Sequence, residues 1–326
     1  MLGKTAEIDV QGLTKRFGGL TAVDGASFSV DKGETLVLLG TSGCGKTTTL
    51  KMLNRLVEPT SGKVFIGGKN IRERKPEELR KGIGYVIQDI GLFPHYTVEQ
   101  NIALVPHLLK WDRKKIRQRV HILLDLVGLP SEKFMRRYPH KLSGGQQQRI
   151  GLARAFAADP AVILLDEPFG ALDQITRRDI QKEFKSLESF LRKTMILVTH
   201  DVFEAFDLGD RICLMDKGKV QQIGTAKELL YSPKNNFVRN FLQANRFLLE
   251  LQVFTLKDIL DEVSKSPLSD KKLPEFNETA CLLDVLETLE QLPGKQTFLR
   301  ILDKDGKIHA EMRAGELLAA FYRIKP

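Results

Sequence analysis

The chain has 326 residues, 42% hydrophobic and 28% charged, a balance that supports a full apolar core and excludes a disordered chain. The formal charge is +9, yet residues 247–326 carry 11 Lys+Arg against 14 Asp+Glu, so the basic surplus belongs to residues 1–246; it suits an anionic partner, whether nucleic acid, lipid headgroup or phosphorylated ligand. No apolar run approaches the roughly 18–20 residues of a membrane span, the start MLGKTAEIDV has no apolar leader, which makes the cytoplasm the expected compartment, and Cys44, Cys213 and Cys281 form neither a disulfide framework nor a zinc pattern.

In chain order, Ile8–Val10, Ala26–Val30 and Thr35–Leu39 read as strands, the last a continuous apolar run expected of a strand buried on both faces. A glycine-rich turn, Gly40–Gly45, follows, and Leu50, Leu53 and Leu56 predict a helix from Lys46. Lys63–Ile66 and Ile83–Ile87 return to strand patterning. Residues 97–158 read as helical; Ile116, Val120, Leu123, Leu124 and Val127 make one stripe, and Gly128 is a stop signal. Val162–Leu165 and Met195–Thr199 read as buried strands around a helix at Thr176–Leu191. This predicts an α/β core interrupted by a helical insert. Ser232–Asn236 has the look of a boundary and Asn240–Glu250 of a helical connector. Beyond it come a helix at Glu278–Leu289, two strands at Phe298–Leu302 and Ile308–Met312, and a closing helix at Gly315–Tyr322.

Gly40-Thr41-Ser42-Gly43-Cys44-Gly45-Lys46-Thr47 matches the phosphate-loop pattern GxxxxGK[ST] between a strand and a helix. Glycines let several backbone N–H groups point at phosphate oxygens, and the helix adds its positive end. Lys46 is placed for the β- and γ-phosphates and Thr47 for Mg²⁺. The strand Val162–Leu165 ends in Asp166-Glu167, at the sheet edge where ligands sit in open α/β folds. Asp166 is placed to hold Mg²⁺, and Glu167 to polarise a water attacking the γ-phosphate. Leu142-Ser143-Gly144-Gly145-Gln146 opens another helix. Ser143 can cap it and the glycines expose its first N–H groups, which makes a second anion site. One explanation is that this site serves the nucleotide of another copy. Cys44 lies two residues from Lys46 and beside a helix N-terminus, both favouring thiolate; the other reading is a small filler facing the protein.

Together these residues closely resemble the ATP-binding-cassette (ABC) ATPases over roughly residues 5–245. Leu142–Gln146 matches their LSGGQ signature, and the order of the motifs is theirs. The resemblance implies an α/β P-loop NTPase of the ABC type, with a mixed core sheet, N-terminal antiparallel strands and a helical subdomain at about 92–158. It implies a nucleotide site of Gly40, Thr41, Ser42, Gly43, Cys44, Gly45, Lys46, Thr47 and Thr48. Phe17 matches the aromatic stacked on adenine, and Gln88 the glutamine contacting Mg²⁺ and the attacking water. Ser143, Gly144, Gly145 and Gln146 match the signature contacts, Ala171-Leu172-Asp173 the loop crossing the dimer interface, and His200 the switch histidine on the γ-phosphate. His95, His107, His121, His140 and His309 match nothing.

A narrower likeness rests on Thr47–Leu56, Glu58–Gly62 and Ile83–His95. These stretches are similar to importers of quaternary-amine osmoprotectants: glycine betaine, choline, carnitine or proline betaine. Amino-acid and other small-solute importers share much of the pattern. The expected organisation is an ABC ATPase domain, 1–245, and a C-terminal regulatory or dimerisation module, 246–326, resembling one cystathionine-β-synthase-type (CBS) copy. The resemblance implies ATP and Mg²⁺ as ligands and a head-to-tail dimer of the chain. It also implies two integral membrane permease subunits docking near Ile90–Pro94 and an extracytoplasmic solute-binding protein. The expected location is the cytoplasmic face of the membrane. The rival class, a soluble ABC ATPase acting on nucleic acid or ribosomes, would suit the basic body, but no long coiled-coil insertion separates Lys46 from Ser143, and no nucleic-acid partner is expected.

Overall fold

The chain divides into two units, Met1–Thr225 and Ala226–Pro326, in a computed structural model that describes residues 6–88, 91–170, 172–263, 273–292 and 298–325. Ile90 and Ala171, both singled out from the sequence, lie outside the described residues. In the first unit β1 (Ala6–Phe17) and β2 (Leu20–Asp31) pair antiparallel. Strand β3 (Thr35–Gly40), buried at every residue, runs through the glycine loop into α1 (Lys46–Leu53). β4 (Ser61–Ile66) and the two-residue β5 (Lys69–Asn70) complete a four-stranded sheet of order β2-β1-β4-β5. Helix α2 (Pro76–Lys81), with proline in its first turn, leads to β6 (Ile83–Val86).

A helical lobe comes next: α3 (Val98–Leu108), α4 (Arg113–Leu126), the short α5 (Ser131–Phe134) and α6 (Gly144–Phe156). Thr97 and Ser143 start α3 and α6 with full capping boxes, and Asp112 caps α4. Helix α4 buries Ile116, Val120, Leu123 and Leu124, the stripe that periodicity predicts, and packs with α3 against α6. The chain then returns through β7 (Val162–Asp166), α7 (Gln174–Leu191), β8 (Thr194–Thr199), α8 (Val202–Leu208), β9 (Arg211–Asp216) and β10 (Lys219–Gly224). The second sheet has the order β10-β9-β3-β8-β7-β6. It is parallel from β6 to β9, with β10 antiparallel at one edge. In register, Leu39 faces Thr199 and Asp166 faces Val198. The glycine loop, Glu167 and His200 therefore emerge from one edge of the sheet. Both sheets share a core that includes Leu36, Leu50, Val64, Leu164 and Ile196.

The β9–β10 hairpin is absent from the sequence reading. Its turn holds Lys217 and Gly218 at φ 46° and 79°; a tight turn with two positive φ values is signalled by Asn-Gly or Asp-Gly, and lysine hides it.

The second unit contains α9 (Ala226–Tyr231), α10 (Asn236–Gln243), α11 (Arg246–Val253) and α12 (Leu256–Ile259). It continues with β11 (Glu275–Asn277), α13 (Leu282–Gln291), β12 (Phe298–Leu302), β13 (Ile308–Arg313) and α14 (Leu317–Ile324). The units part at 225/226 rather than at the expected 245/246, because α9 packs on α10 and α11 and Tyr231 meets Phe254 edge to face at 6.3 Å. Strand β11 pairs parallel with β12, with α13 in the crossover, and β13 is antiparallel to β12. The expected helix from Glu278 begins instead at Leu282, behind a three-residue strand too short to leave a pattern. Leu256, Val285, Leu299, Ile301, Met312 and Phe321 lie in this unit's own core.

Candidate functional site

The glycine loop turns the chain from β3 into α1 in a path open to few side chains. Gly40 and Gly45 have φ of 154° and 104°. A Cβ on Gly40 would lie 2.2 Å from the Met215 carbonyl oxygen, and one on Gly45 2.5 Å from that of Ala22. The loop is thus wedged against β9 and β2, while Thr41, Ser42 and Gly43 stay exposed. Lys46 is 5% exposed. Its Nζ donates to the Gly40 and Thr41 carbonyls at 2.8 and 3.0 Å, so the amine lies over the loop it follows. Thr48, next along α1, is half-buried.

Thr47 Oγ1 donates to Asp166 Oδ1 at 2.8 Å, which joins the phosphate loop to the end of β7. Asp166 is 3% exposed; burial pushes its carboxyl up, opposed first by the Thr47 hydroxyl and then by Lys51. A hydroxyl and a carboxylate are donors for a hard divalent cation. Among the described residues no cluster of three or more His, Cys, Asp or Glu side chains could hold a metal. A cation here would take its remaining ligands from phosphate and water, as Mg²⁺ does. The residues therefore fit a phosphate-bound Mg²⁺.

One residue on, Glu167 has φ 45°, a left-handed backbone that costs a non-glycine residue of order 1 kcal/mol or more. Its N–H donates to the Val198 carbonyl at 3.0 Å. Its Oε2 lies 3.2 Å from Nδ1 of His200, whose side chain is 60% exposed. The strained turn thus brings Glu167 and His200 together beside Asp166.

The other expected residues stand just beyond β6, at the end of β1 and at the start of α6. Gln88 is exposed two residues beyond β6. Phe17 ends β1 with half its surface open and Lys15 Nζ 4.8 Å from its ring centre, so it is no core phenylalanine. Ser143 Oγ accepts from the Gln146 N–H at 3.3 Å and Gln146 Oε1 from the Ser143 N–H at 3.1 Å. Each side chain is taken up by the other residue's backbone N–H, and the helix end is presented through exposed Gly144. A Cβ on Gly145 would come 2.6 Å from Thr176 Cγ2, so α6 rests closely on α7. Among the described residues, Ser143–Gln146 form no hydrogen bond with Lys46, Thr47, Asp166, Glu167 or His200.

Cys44 departs from one of its two readings. It is 2% exposed and in the apolar core. Burial is the largest influence on its thiol and raises it, outweighing Lys46. The side chain is the inward filler, not a thiolate poised for reaction.

Sequence reasoning missed Asn101. It is fully buried. Its side chain accepts from the Phe93 N–H and donates to the carbonyls of Phe93, Tyr96 and Thr97, fixing the segment before α3. Gln148, also buried, donates to the Pro168 carbonyl and ties α6 to the turn after Glu167. A lone amide on the buried face of each helix was the available signal.

A phosphate loop on a parallel sheet, an antiparallel sheet ahead of it and a helical lobe whose last helix opens on Ser143-Gly144-Gly145 define an ATP-binding cassette. The family model described as ABC transporter matches residues 23–170. The chain belongs to the ABC transporter ATP-binding family: it is 48% identical over 263 residues to the glycine betaine uptake system ATP-binding protein YehX of Escherichia coli K12, covering 81% of this chain and 84% of that protein. It is also 55% identical over 231 residues to the glycine betaine/carnitine/choline transport ATP-binding protein OpuCA of Bacillus subtilis, 71% of this chain and 60% of that one. The chain thus spans about 60% of the length of that relative. Among solved structures it is similar to the dimeric cassette MJ0796 in a post-hydrolysis state bound to ADP and Pi, with a TM-score of 0.60 and 33% identity over 67% of this chain and 98% of that one. The P-loop NTPase fold implied by the signature is the fold observed.

Proposed function

We propose that the chain is the ATP-hydrolysing subunit of an ABC importer for a quaternary-amine osmoprotectant such as glycine betaine, carnitine, choline or proline. The observation that carries the ATPase reading is the junction at the sheet edge: Thr47 bonded to Asp166 at 2.8 Å, and Glu167 next to it, 3.2 Å from His200. Likeness to OpuCA and YehX supports the cargo. The ATPase subunit need not touch the solute, so its cargo is read from kinship.

Backbone N–H groups of Gly40–Gly45 and the amine of Lys46 would hold the triphosphate, with Phe17 against the base. Thr47 and Asp166, with Gln88, would hold Mg²⁺, which supplies charge neutralisation at the phosphates when bound. Glu167 would take the proton of the attacking water, and His200 would contact the γ-phosphate. Ser143–Gln146 would serve the nucleotide of a second copy, head to tail. Two permease subunits and an external solute-binding protein would complete the importer at the cytoplasmic face of the membrane. Among the described residues no helix is long and apolar enough to span a membrane. The β11-β12-β13 unit supports a CBS-like regulatory or dimerisation module.

Glu167→Gln tests the assignment, because an amide cannot accept the proton. Turnover should fall at least about 10²-fold with ATP binding intact, and the variant should run as a dimer in size-exclusion chromatography with ATP and Mg²⁺. Near-normal turnover would remove Glu167 from this role. Uptake of labelled glycine betaine into vesicles bearing the whole importer tests the cargo; ATP-driven uptake of another solute class in its place would overturn it.

A further inference from the structure

We propose that Arg177 is a positioning residue for His200, a guanidinium strap that ties the Leu172 carbonyl to Asp201 and so fixes the turn presenting the imidazole. The inference rests on the reading of His200 as a γ-phosphate contact.

His200 has little to hold its ring. The side chain is 60% exposed and, among the described residues, meets the Glu167 carboxylate alone, at 3.2 Å. Its placement therefore depends on the residues at either side. Thr199 Oγ1 accepts from the Asp201 N–H at 3.0 Å and donates to Glu204 Oε2. Asp201 Oδ1 accepts from the N–H groups of Phe203 and Glu204 at 2.8 and 3.3 Å, which caps α8.

The residues after His200 are gripped from α7 at two points. Arg177 NH1 lies 3.6 Å from Asp201 Oδ2, and Gln181 Nε2 donates to Glu204 Oε1 at 2.9 Å. Four residues apart on a helix, Arg177 and Gln181 share one face. The same guanidinium reaches backwards: NH2 donates to the Leu172 carbonyl at 3.1 Å. The Arg177 N–H donates to the Asp173 carbonyl at 2.9 Å, and the Thr176 N–H to Asp173 Oδ1 at 3.0 Å. Leu172 and Asp201 are thus linked by one side chain, through a hydrogen bond to the first and an ion pair at 3.6 Å with the second, while Asp173 is held by backbone N–H groups of the same helix. A planar guanidinium can hold two acceptors in fixed geometry, which a lysine ammonium cannot copy. Among the described residues Arg177 Nε is buried without a partner, a cost that an apolar residue would avoid and that a positioning role explains. A shift of Leu172, in the segment that resembles the family's dimer-crossing loop, would reach His200 directly through this strap.

The test uses the full chain with Arg177→Ala, Arg177→Lys and Asp201→Asn, each alone and combined with His200→Ala. Misplacement of a catalytic group by about 1 Å can cost about 10²-fold. Arg177→Ala should lower kcat about 10- to 100-fold and leave KM for ATP within about twofold, with Arg177→Lys recovering only part. Asp201→Asn retains the cap but loses the charge, and should lose kcat in the same direction; it carries the test if Arg177→Ala does not fold. In the His200→Ala background, Arg177→Ala should cost less than about twofold more, the mark of a shared path. Without nucleotide, deuterium exchange in peptide 199–208 should quicken about tenfold in Arg177→Ala, while β3 is unchanged. Parental kcat, multiplicative losses or unchanged exchange would each overturn the proposal. If the parent protein has no Mg-dependent ATPase, the functional reading fails, and the exchange measurement alone decides the strap.

Discussion

Replacing Thr47 with valine preserves the side chain's shape and deletes the hydroxyl that Asp166 Oδ1 accepts from at 2.8 Å. Asp166 is 3% exposed, its carboxyl is already pushed up by burial, and this bond is the first influence opposing the rise. Stripping a buried acceptor of its donor costs about 1–3 kcal/mol. In a unit of this size 1 kcal/mol shifts Tm by about 2–4 °C, so nucleotide-free Thr47→Val should melt roughly 2–12 °C lower at about pH 8. The pH dependence has a definite sign. A carboxyl with a raised pKa binds more protons folded than unfolded, so its burden on stability is complete above the folded pKa and fades as pH falls below it. Loss of the hydroxyl raises that pKa further. The Tm gap between variant and parent should therefore narrow steadily from about pH 8 toward about pH 4, where the unfolded carboxyl also takes up its proton. Thr47→Ser, which keeps the donor, should stay close to the parent. Scanning calorimetry in EDTA measures all three. A gap that stays constant or widens in acid, or a serine variant that melts with valine, would refute the account.

Two further outcomes are expected. With a maleimide under native conditions, Cys281, half-buried at the start of α13, should react at least about tenfold faster than Cys44, and ATPase activity should survive. Cys213, fully buried with its thiol pushed up to about 12, should react only on unfolding; peptide mapping by mass spectrometry reads the order, and Cys44 labelling first would restore the reactive reading. Mixing Lys46→Ala and Ser143→Arg chains should give ATPase above either pure variant, since mixed dimers hold one site free of both lesions; activity linear in monomer concentration, with no second-order rise, would end the shared-site proposal.

The sequence disclosed what is local. Gly40–Thr47, Asp166-Glu167 and the signature turn are contiguous runs whose neighbours set their context, and the structure places Thr47 against Asp166 although 119 residues separate them. What stayed hidden depends on partners distant in the chain. The direction of the Cys44 side chain is decided by packing against the core, and no local charge argument could find it. The Ser143–Gln146 capping box was legible as a cap, but the mutual use of both side chains was not. The unit boundary escaped because α9 and α10 look like any amphipathic helices until the packing of α9 on α10 and α11 is seen. Arg177 and Glu204 read as ordinary surface charges of helices; their roles arise only where α7, α8 and the end of β8 converge.

The amine of Lys46 donates to the carbonyls of Gly40 and Thr41, so the side chain closes back over the loop that precedes it. The loop is therefore preorganised, and the entropy lost in ordering it belongs to folding, leaving more of the gross interaction energy to appear as affinity. On the proposed reading, a phosphate would have to compete with those two carbonyl oxygens for one amine. A phosphate that offered the amine less than those two carbonyls would gain nothing from displacing them, so the loop's own backbone would set a threshold for any anion that Lys46 is to hold.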